Sequence, residues 1–173
     1  AVINGTGNGG HNTIVGNGAA NTLSGGSGND VLDGGVGNDL LTGGQGADTY
    51  LVGLGSGSDL ISNADTDLAA DRVLFGAGIA EDQLWFARSG NDLVVSIVGG
   101  TDRATLQGWY ASTGNQLDHF ERRGAGGHVV WVGFPSSPIS AHMSVFPART
   151  CKKGHRHGPG YLIVIPAGEG YSI

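Results

Sequence analysis

The amino-acid sequence predicts an all-β chain built around a parallel β-roll, followed by a small β capping region and a β-rich tail. Three observations predict this. Residues 7–51 fall into five nine-residue blocks in unbroken phase: GNGGHNTIV, GNGAANTLS, GGSGNDVLD, GGVGNDLLT and GGQGADTYL. Every block places an apolar residue at its eighth position, Ile14, Leu23, Leu32, Leu41 and Tyr50, as coils stacked over a common core require. Every block also opens glycine-rich and carries Asn or Asp at its sixth position, so turn and strand alternate at a fixed interval.

The block Gly25–Asp33 shows how this works. Gly25, Gly26 and Gly28 can take backbone angles closed to other residues, so the first six residues turn sharply. Val31-Leu32-Asp33 then suits a very short strand, with Leu32 inward and its neighbours outward. Two blocks make one coil, so every second block stacks. Asn12, Asp30 and Asp48 therefore share one edge, and Asn21, Asp39 and Asp59 the other. Asp59 joins after a two-residue slip, in LGSGSDLIS, and DLAADRVLF places Asp71 above Asp48. Ala1–Thr6 begins the roll.

A column of carboxylates one strand spacing apart repels itself. Residues 1–71 contain eight Asp and no Lys or Arg, so this half of the chain cannot neutralise itself. Glycine turns expose carbonyl oxygens, and hard oxygens in such number suit calcium, which takes roughly six to eight of them. The blocks match G-G-x-G-x-D-x-U-x, the already known calcium-binding nonapeptide of RTX proteins, and the chain is identified as resembling that family. The ligands so expected are Asp30, Asp39, Asp48 and Asp59 by side chain. The carbonyls of Gly25, Gly34 and Gly43 and of their turn neighbours Ser27, Gly28, Val36, Gly37, Gln45 and Gly46 supply the rest. Asn12 and Asn21 offer uncharged amide oxygens and bind more weakly, and Asp71 adds a rung. About three to five ions are expected from the stacked turns. A metal-free solenoid or a low-complexity linker are the alternatives, but a linker does not need an apolar residue at every eighth position.

Residues 1–75 are read as the roll, 76–123 as the capping region and 124–173 as the tail. Asn63–Ala70 is a polar connection whose Asp65 and Asp67 read equally as loop acids or as parts of a terminal calcium site. Arg72–Phe75 is a short strand, and Ile79–Asp82 suits one helical turn. Trp85–Arg88 and Leu93–Val98 form a hairpin around Ser89-Gly90-Asn91-Asp92, with Asp92 as a turn residue. Arg103–Leu106 adds a strand. An open solenoid end exposes edge and core, and Trp85, Phe86, Trp109 and Tyr110 are expected to cover it.

Composition excludes several classes. Net charge is −6, and the few basic residues after Asp118 are scattered, so no nucleic-acid partner is expected. Cys151 is the single cysteine; no intrachain disulfide can form, and it reads as a small buried residue. No apolar run approaches a membrane span, and no cleavable signal is evident at the start. AVINGT reads as the tail of an earlier repeat, and the chain as part of something longer or processed. No Ser-His-Asp set, paired acid or phosphate loop is present, so no catalysis is expected.

Gln83–Tyr110, QLWFARSGNDLVVSIVGGTDRATLQGWY, resembles the carboxyl-terminal flank of RTX blocks, notably that of adenylate cyclase toxin haemolysins. The resemblance implies a cap that nucleates calcium-driven folding, type I secretion, and an extracellular module. Residues 153–170, KGHRHGPGYLIVIPAGEG, resemble the first metal motif of cupins. There His155 and His157 stand as two imidazole ligands and Gly168 as the closing glycine, while Tyr161 occupies the place of the glutamate and the second motif is missing. A transition metal at His155 and His157 would need further ligands, such as His119, His128 or His142. The alternative is an exposed loop or the relic of a fusion. Two rival functions follow: a subunit of a surface layer or filament that self-associates through the tail, and a cupin-type metalloenzyme fragment.

Overall fold

The computed structural model describes residues 1–67, 69–123, 128–132 and 141–145. His155, His157, Tyr161, Gly168 and Cys151 lie outside the described residues.

The chain alternates between two sheets every nine residues or so. One sheet collects Gly5–Thr6 (β1), Thr22–Ser27 (β3), Leu40–Gln45 (β5) and Ser58–Ser62 (β7). The other collects Thr13–Val15 (β2), Val31–Asp33 (β4), Thr49–Val52 (β6) and Arg72–Phe75 (β8). Every pairing among these eight strands is parallel. The register of Thr22 on Leu40 and of Val31 on Thr49 is the 18-residue coil that two blocks predict. Leu40 stands on Leu60, so the slip lengthens a turn and leaves the sheet in phase. The roll is therefore as expected, with one difference. β3 and β5 run six residues and not three, because Gly26 pairs with Gly44 and Ser27 with Gln45 across the first edge.

Eighth-position residues form the core. Leu23, Leu41 and Ile61 stack from one sheet, and Leu32, Tyr50 and Val73 from the other, all fully buried. Burying each such side chain contributes roughly 1.5–3 kcal/mol. Ile14, in the outermost coil, is only partly covered.

Both sheets continue beyond residue 75. Leu84–Ser89 (β9) and Asp92–Ile97 (β10) make the expected hairpin, turning at Gly90-Asn91. Arg103–Leu106 (β11) pairs antiparallel with β10 and parallel with β7, so the hairpin is joined directly to the roll. His119–Arg122 (β12) lies parallel on β8. A 3-10 turn at Glu81–Gln83 occupies the place of the expected helical turn. Trp109 and Phe120 are buried, with Phe86 edge-on to Phe120 at 5.2 Å and Arg88 over the Tyr110 ring at 4.4 Å.

Trp85 departs from expectation, being 41% exposed. Successive strand residues face opposite ways, so Trp85 and Phe86 cannot both enter the core. Leu84 and Phe86 face inward and Trp85 faces out. Beyond the cap, His128–Val132 (β13) and Ala141–Val145 (β14) pair antiparallel as a separate two-stranded sheet. No helix among the described residues is long and apolar enough to cross a membrane.

Candidate metal centre

The turns explain why glycine recurs, and for two different reasons. At the second and fourth positions of the last three blocks the backbone is left-handed, with φ +107° at Gly44 and +109° at Gly46, where a Cβ is costly and would also strike the carbonyl of the coil below. The first position is different, and here the expectation for Gly25 is corrected. Gly25, Gly34 and Gly43 are not left-handed. Glycine is needed there for space. A Cβ on Gly25 would collide with Asp30 Oδ2 and lie 2.6 Å from the Gly43 carbonyl oxygen. A Cβ on Gly34 would strike Asp39 Oδ2, and one on Gly43 would strike Asp48 Oδ2. The side chains of Ser27, Val36 and Gln45 are exposed, so of these turn residues only the backbone could serve the columns.

Each sixth-position carboxylate bonds one coil back. Asp30 Oδ1 accepts the Asn12 N–H at 2.7 Å, and Asp48 Oδ1 the Asp30 N–H at 2.8 Å. Asp71 Oδ1 accepts the Asp48 N–H at 2.8 Å, as the sequence places it. On the other edge Asp39 Oδ1 accepts from Asn21 at 2.7 Å, and Asp59 Oδ1 from Asp39 at 3.1 Å. The two amide rungs point elsewhere: Asn12 and Asn21 accept the N–H groups of Asn8 and Asn17 within their own blocks.

The ladder uses only one oxygen of each carboxylate. The second oxygens of Asp30, Asp39 and Asp48 are buried and have no hydrogen-bond partner. These residues are 1%, 2% and 0% exposed. A buried carboxylate without a partner is strongly disfavoured. Burial, reinforced by the charges of Asp71, Asp30 and Asp65, pushes the Asp48 carboxyl up to about 7. Burial together with the charge of Asp39 takes Asp59 to about 6. Asp71 is likewise raised, chiefly by burial.

Over three of the first-position glycines a side-chain oxygen meets a carbonyl. Asp30 Oδ2 and the Gly43 carbonyl meet over Gly25, Asn12 Oδ1 and the Gly25 carbonyl over Gly7, and Asn21 Oδ1 and the Gly34 carbonyl over Gly16. Among the described residues no three His, Cys, Asp or Glu side chains gather as a metal cage. The donor set is instead one carboxylate or amide oxygen per rung plus backbone carbonyls. An all-oxygen, partly main-chain set fits a hard cation such as calcium and does not suit zinc or copper.

The capping region closes both columns with residues that the sequence reading missed. Asp118 Oδ2 accepts the Asp71 N–H at 3.0 Å, extending the first column. Asp102 receives the N–H groups of Gly55 and Gly57, both at 2.9 Å, at the head of the second edge. One signal could have found them. Asp102 and Asp118 immediately precede strands β11 and β12, as Asp30, Asp48 and Asp71 precede β4, β6 and β8. Asp92 accepts the Gly108 N–H at 2.8 Å and holds the hairpin against the following turn. Asp67 accepts the Gly46 and Ala69 N–H groups, each at 2.7 Å.

Comparison with protein families agrees with this geometry. Residues 6–41 and 28–61 match the family model of the RTX calcium-binding nonapeptide repeat (4 copies). Residues 92–121 match that of the haemolysin-type calcium binding protein related domain.

Proposed function

Residues 6–61 of this chain are RTX calcium-binding repeats of the haemolysin type, and on that premise we propose an extracellular module, part of a secreted protein, that calcium folds. The observation that carries this reading is the set of buried, unpartnered oxygens on Asp30, Asp39 and Asp48, each lying over the first glycine of its own block, with the Gly43 carbonyl beside that of Asp30. Without a cation the roll must bury carboxylate charge that no Lys or Arg before Arg72 offsets. When bound, calcium supplies two positive charges and accepts the lone pairs that the ladder leaves unused.

Asp30, Asp39, Asp48 and Asp59 hold the ions by side chain. Gly25, Gly34 and Gly43, with Ser27, Gly28, Val36, Gly37, Gln45 and Gly46, contribute carbonyls. Asn12 and Asn21 give neutral outer rungs, and Asp71 closes the first column. Because the unfolded chain holds no such arrangement, binding free energy becomes folding free energy. A chain of this kind stays open where calcium is scarce and closes where it is millimolar. Its work is binding, and we assign it no catalytic role.

Far-UV circular dichroism during a calcium titration from a chelated start tests this, with magnesium as control. A cooperative gain of β signal with calcium alone is expected. A β spectrum unaffected by chelator would overturn the proposal.

A further inference from the structure

The repeats end above Asp48, and what replaces the next turn is unlike the turns below it. Register places Asn63 over Gly43, since Thr42 pairs with Ser62. The Asn63 carbonyl is taken by the Asp65 N–H at 2.8 Å. The Asn63 side chain is taken too: Oδ1 accepts the Tyr50 hydroxyl at 2.7 Å, and Nδ2 donates to Asp71 Oδ2 at 2.9 Å. Tyr50 Oη in turn accepts the Gly43 N–H at 3.0 Å. The turn oxygens that serve lower coils are therefore spent here. Yet Asp48 is fully buried, and its Oδ2 lies over Gly43 beside Tyr50 Oη without a partner.

A second oxygen is left over in the connection that follows. Asp65, in the connection after β7, has a buried Oδ2 that also lacks a partner. Its carboxyl is hydrogen-bonded to that of Asp71, its charge acts on Asp48, and Asp67 and Asp118 are further charged neighbours. The Asp65 backbone is held from both sides, its N–H reaching the carbonyls of Asn63 and, at 3.3 Å, Gly114. The nearby cation is engaged elsewhere: Arg72 Nε donates to Thr49 at 2.9 Å, and its Nη1 lies 4.0 Å from Glu121. A cleft of about 530 Å³ runs along the first edge, past Gly7, Gly26 and Gly44, and ends at Ala64, Asp65 and Thr66.

We propose that Asp48 and Asp65 share a further divalent-cation site where the repeats meet the capping region, with Asp71 behind them. It closes the last nonapeptide, with Asp65 supplying the oxygen that a further glycine turn would have given. Its ion is calcium, since every donor is a hard oxygen, and the cleft reaches Asp65 from solvent. Filling it joins the roll to the segment that carries the cap. The inference rests on the calcium reading of the repeats.

The test counts ions on the full chain by equilibrium dialysis with calcium, for wild type, Asp65→Asn and Asp67→Asn. Wild type and Asp67→Asn are expected to agree, and Asp65→Asn to lose one ion with its β spectrum retained in saturating calcium. An equal count in all three would overturn the site. A crystal structure of the calcium-loaded wild-type chain gives an answer independent of how the variants fold. An anomalous peak between Asp48 and Asp65 is expected, and ions in the columns with none there would overturn the proposal. A wild-type chain that binds no calcium at all would overturn the reading of the repeats instead.

Discussion

Replacing Asp48 and Asp59 together by Asn makes the metal-free roll more stable. Both carboxylates are buried, and both sit well above their ordinary 3.8, at about 7 and about 6. At pH 8 each is charged in the folded and unfolded chain alike, so the difference is a folding penalty of about 4 kcal/mol for Asp48 and about 3 for Asp59. Solvent screening and local relaxation reduce such figures, and half of the total, about 3–4 kcal/mol, is a cautious value. That is a large part of a domain's net stability of roughly 5–15 kcal/mol. Asparagine keeps the Oδ1 that accepts the N–H of Asp30 or Asp39. The two sites lie on opposite edges and do not share their charged neighbours, so their effects should add. The folded-to-unfolded ratio in chelator should therefore rise by about two to three orders of magnitude. Circular dichroism in EGTA at pH 8, over a sucrose series that brings both proteins into range, measures it. In calcium the order reverses, because the variant has lost two ligands. A double variant no more folded in chelator than wild type would refute the idea that buried charge keeps the metal-free roll open.

Further outcomes follow from the same geometry. In chelator, wild-type stability should increase as pH falls from about 8 towards 4. The folded carboxyls of Asp48 and Asp59 take up protons near 7 and 6, whereas the unfolded ones wait until 3.8. In calcium the folding midpoint should instead move to higher calcium as pH falls, because protons compete for the same oxygens; parallel titrations at pH 8 and 5.5 check both signs. Gly25→Ala should remove an ion and weaken calcium-driven folding, since its Cβ fills the space between Asp30 and the Gly43 carbonyl. Gly44→Ala, at φ +107°, should cost more than the about 1–2 kcal/mol of backbone strain, because its Cβ would also strike the Gly26 carbonyl oxygen, with or without calcium; calorimetry separates the two. Tyr50→Phe leaves the buried Gly43 N–H and Asn63 Oδ1 without their partner, at a cost of about 1–3 kcal/mol, read by guanidinium unfolding in calcium.

Phase made most of the roll legible in the sequence. Once two blocks are taken as one coil, Asp30, Asp48 and Asp71 fall on one edge and Asp39 and Asp59 on the other. The two-residue slip survives this because strands, and not turns, carry the register. Less was legible where no period exists. Asp102 and Asp118 come from a capping region without repeats, so their coil could not be counted. Trp85 was read by bulk, and strand alternation overruled bulk. Tyr50 reads as one more apolar residue, and only the structure shows its hydroxyl terminating a turn. Gly25 looks like any turn glycine, although its hydrogen is wanted as empty space and not for a backbone angle.

The stacking of coils also has a mechanical consequence. Successive coils in the repeats are 18 residues apart in register, while adjacent strands lie only about 4.7–4.9 Å apart. Pulled from its first residue, the roll would peel coil by coil from the end where Ile14 is least covered. Each coil released would pay out about 60 Å of extended chain. An ion shared between two rungs would have to leave at the same step. The force needed to unwind such a roll would then be set by the calcium concentration around it, and the chain would act as a tether whose stiffness follows the ionic composition of its surroundings.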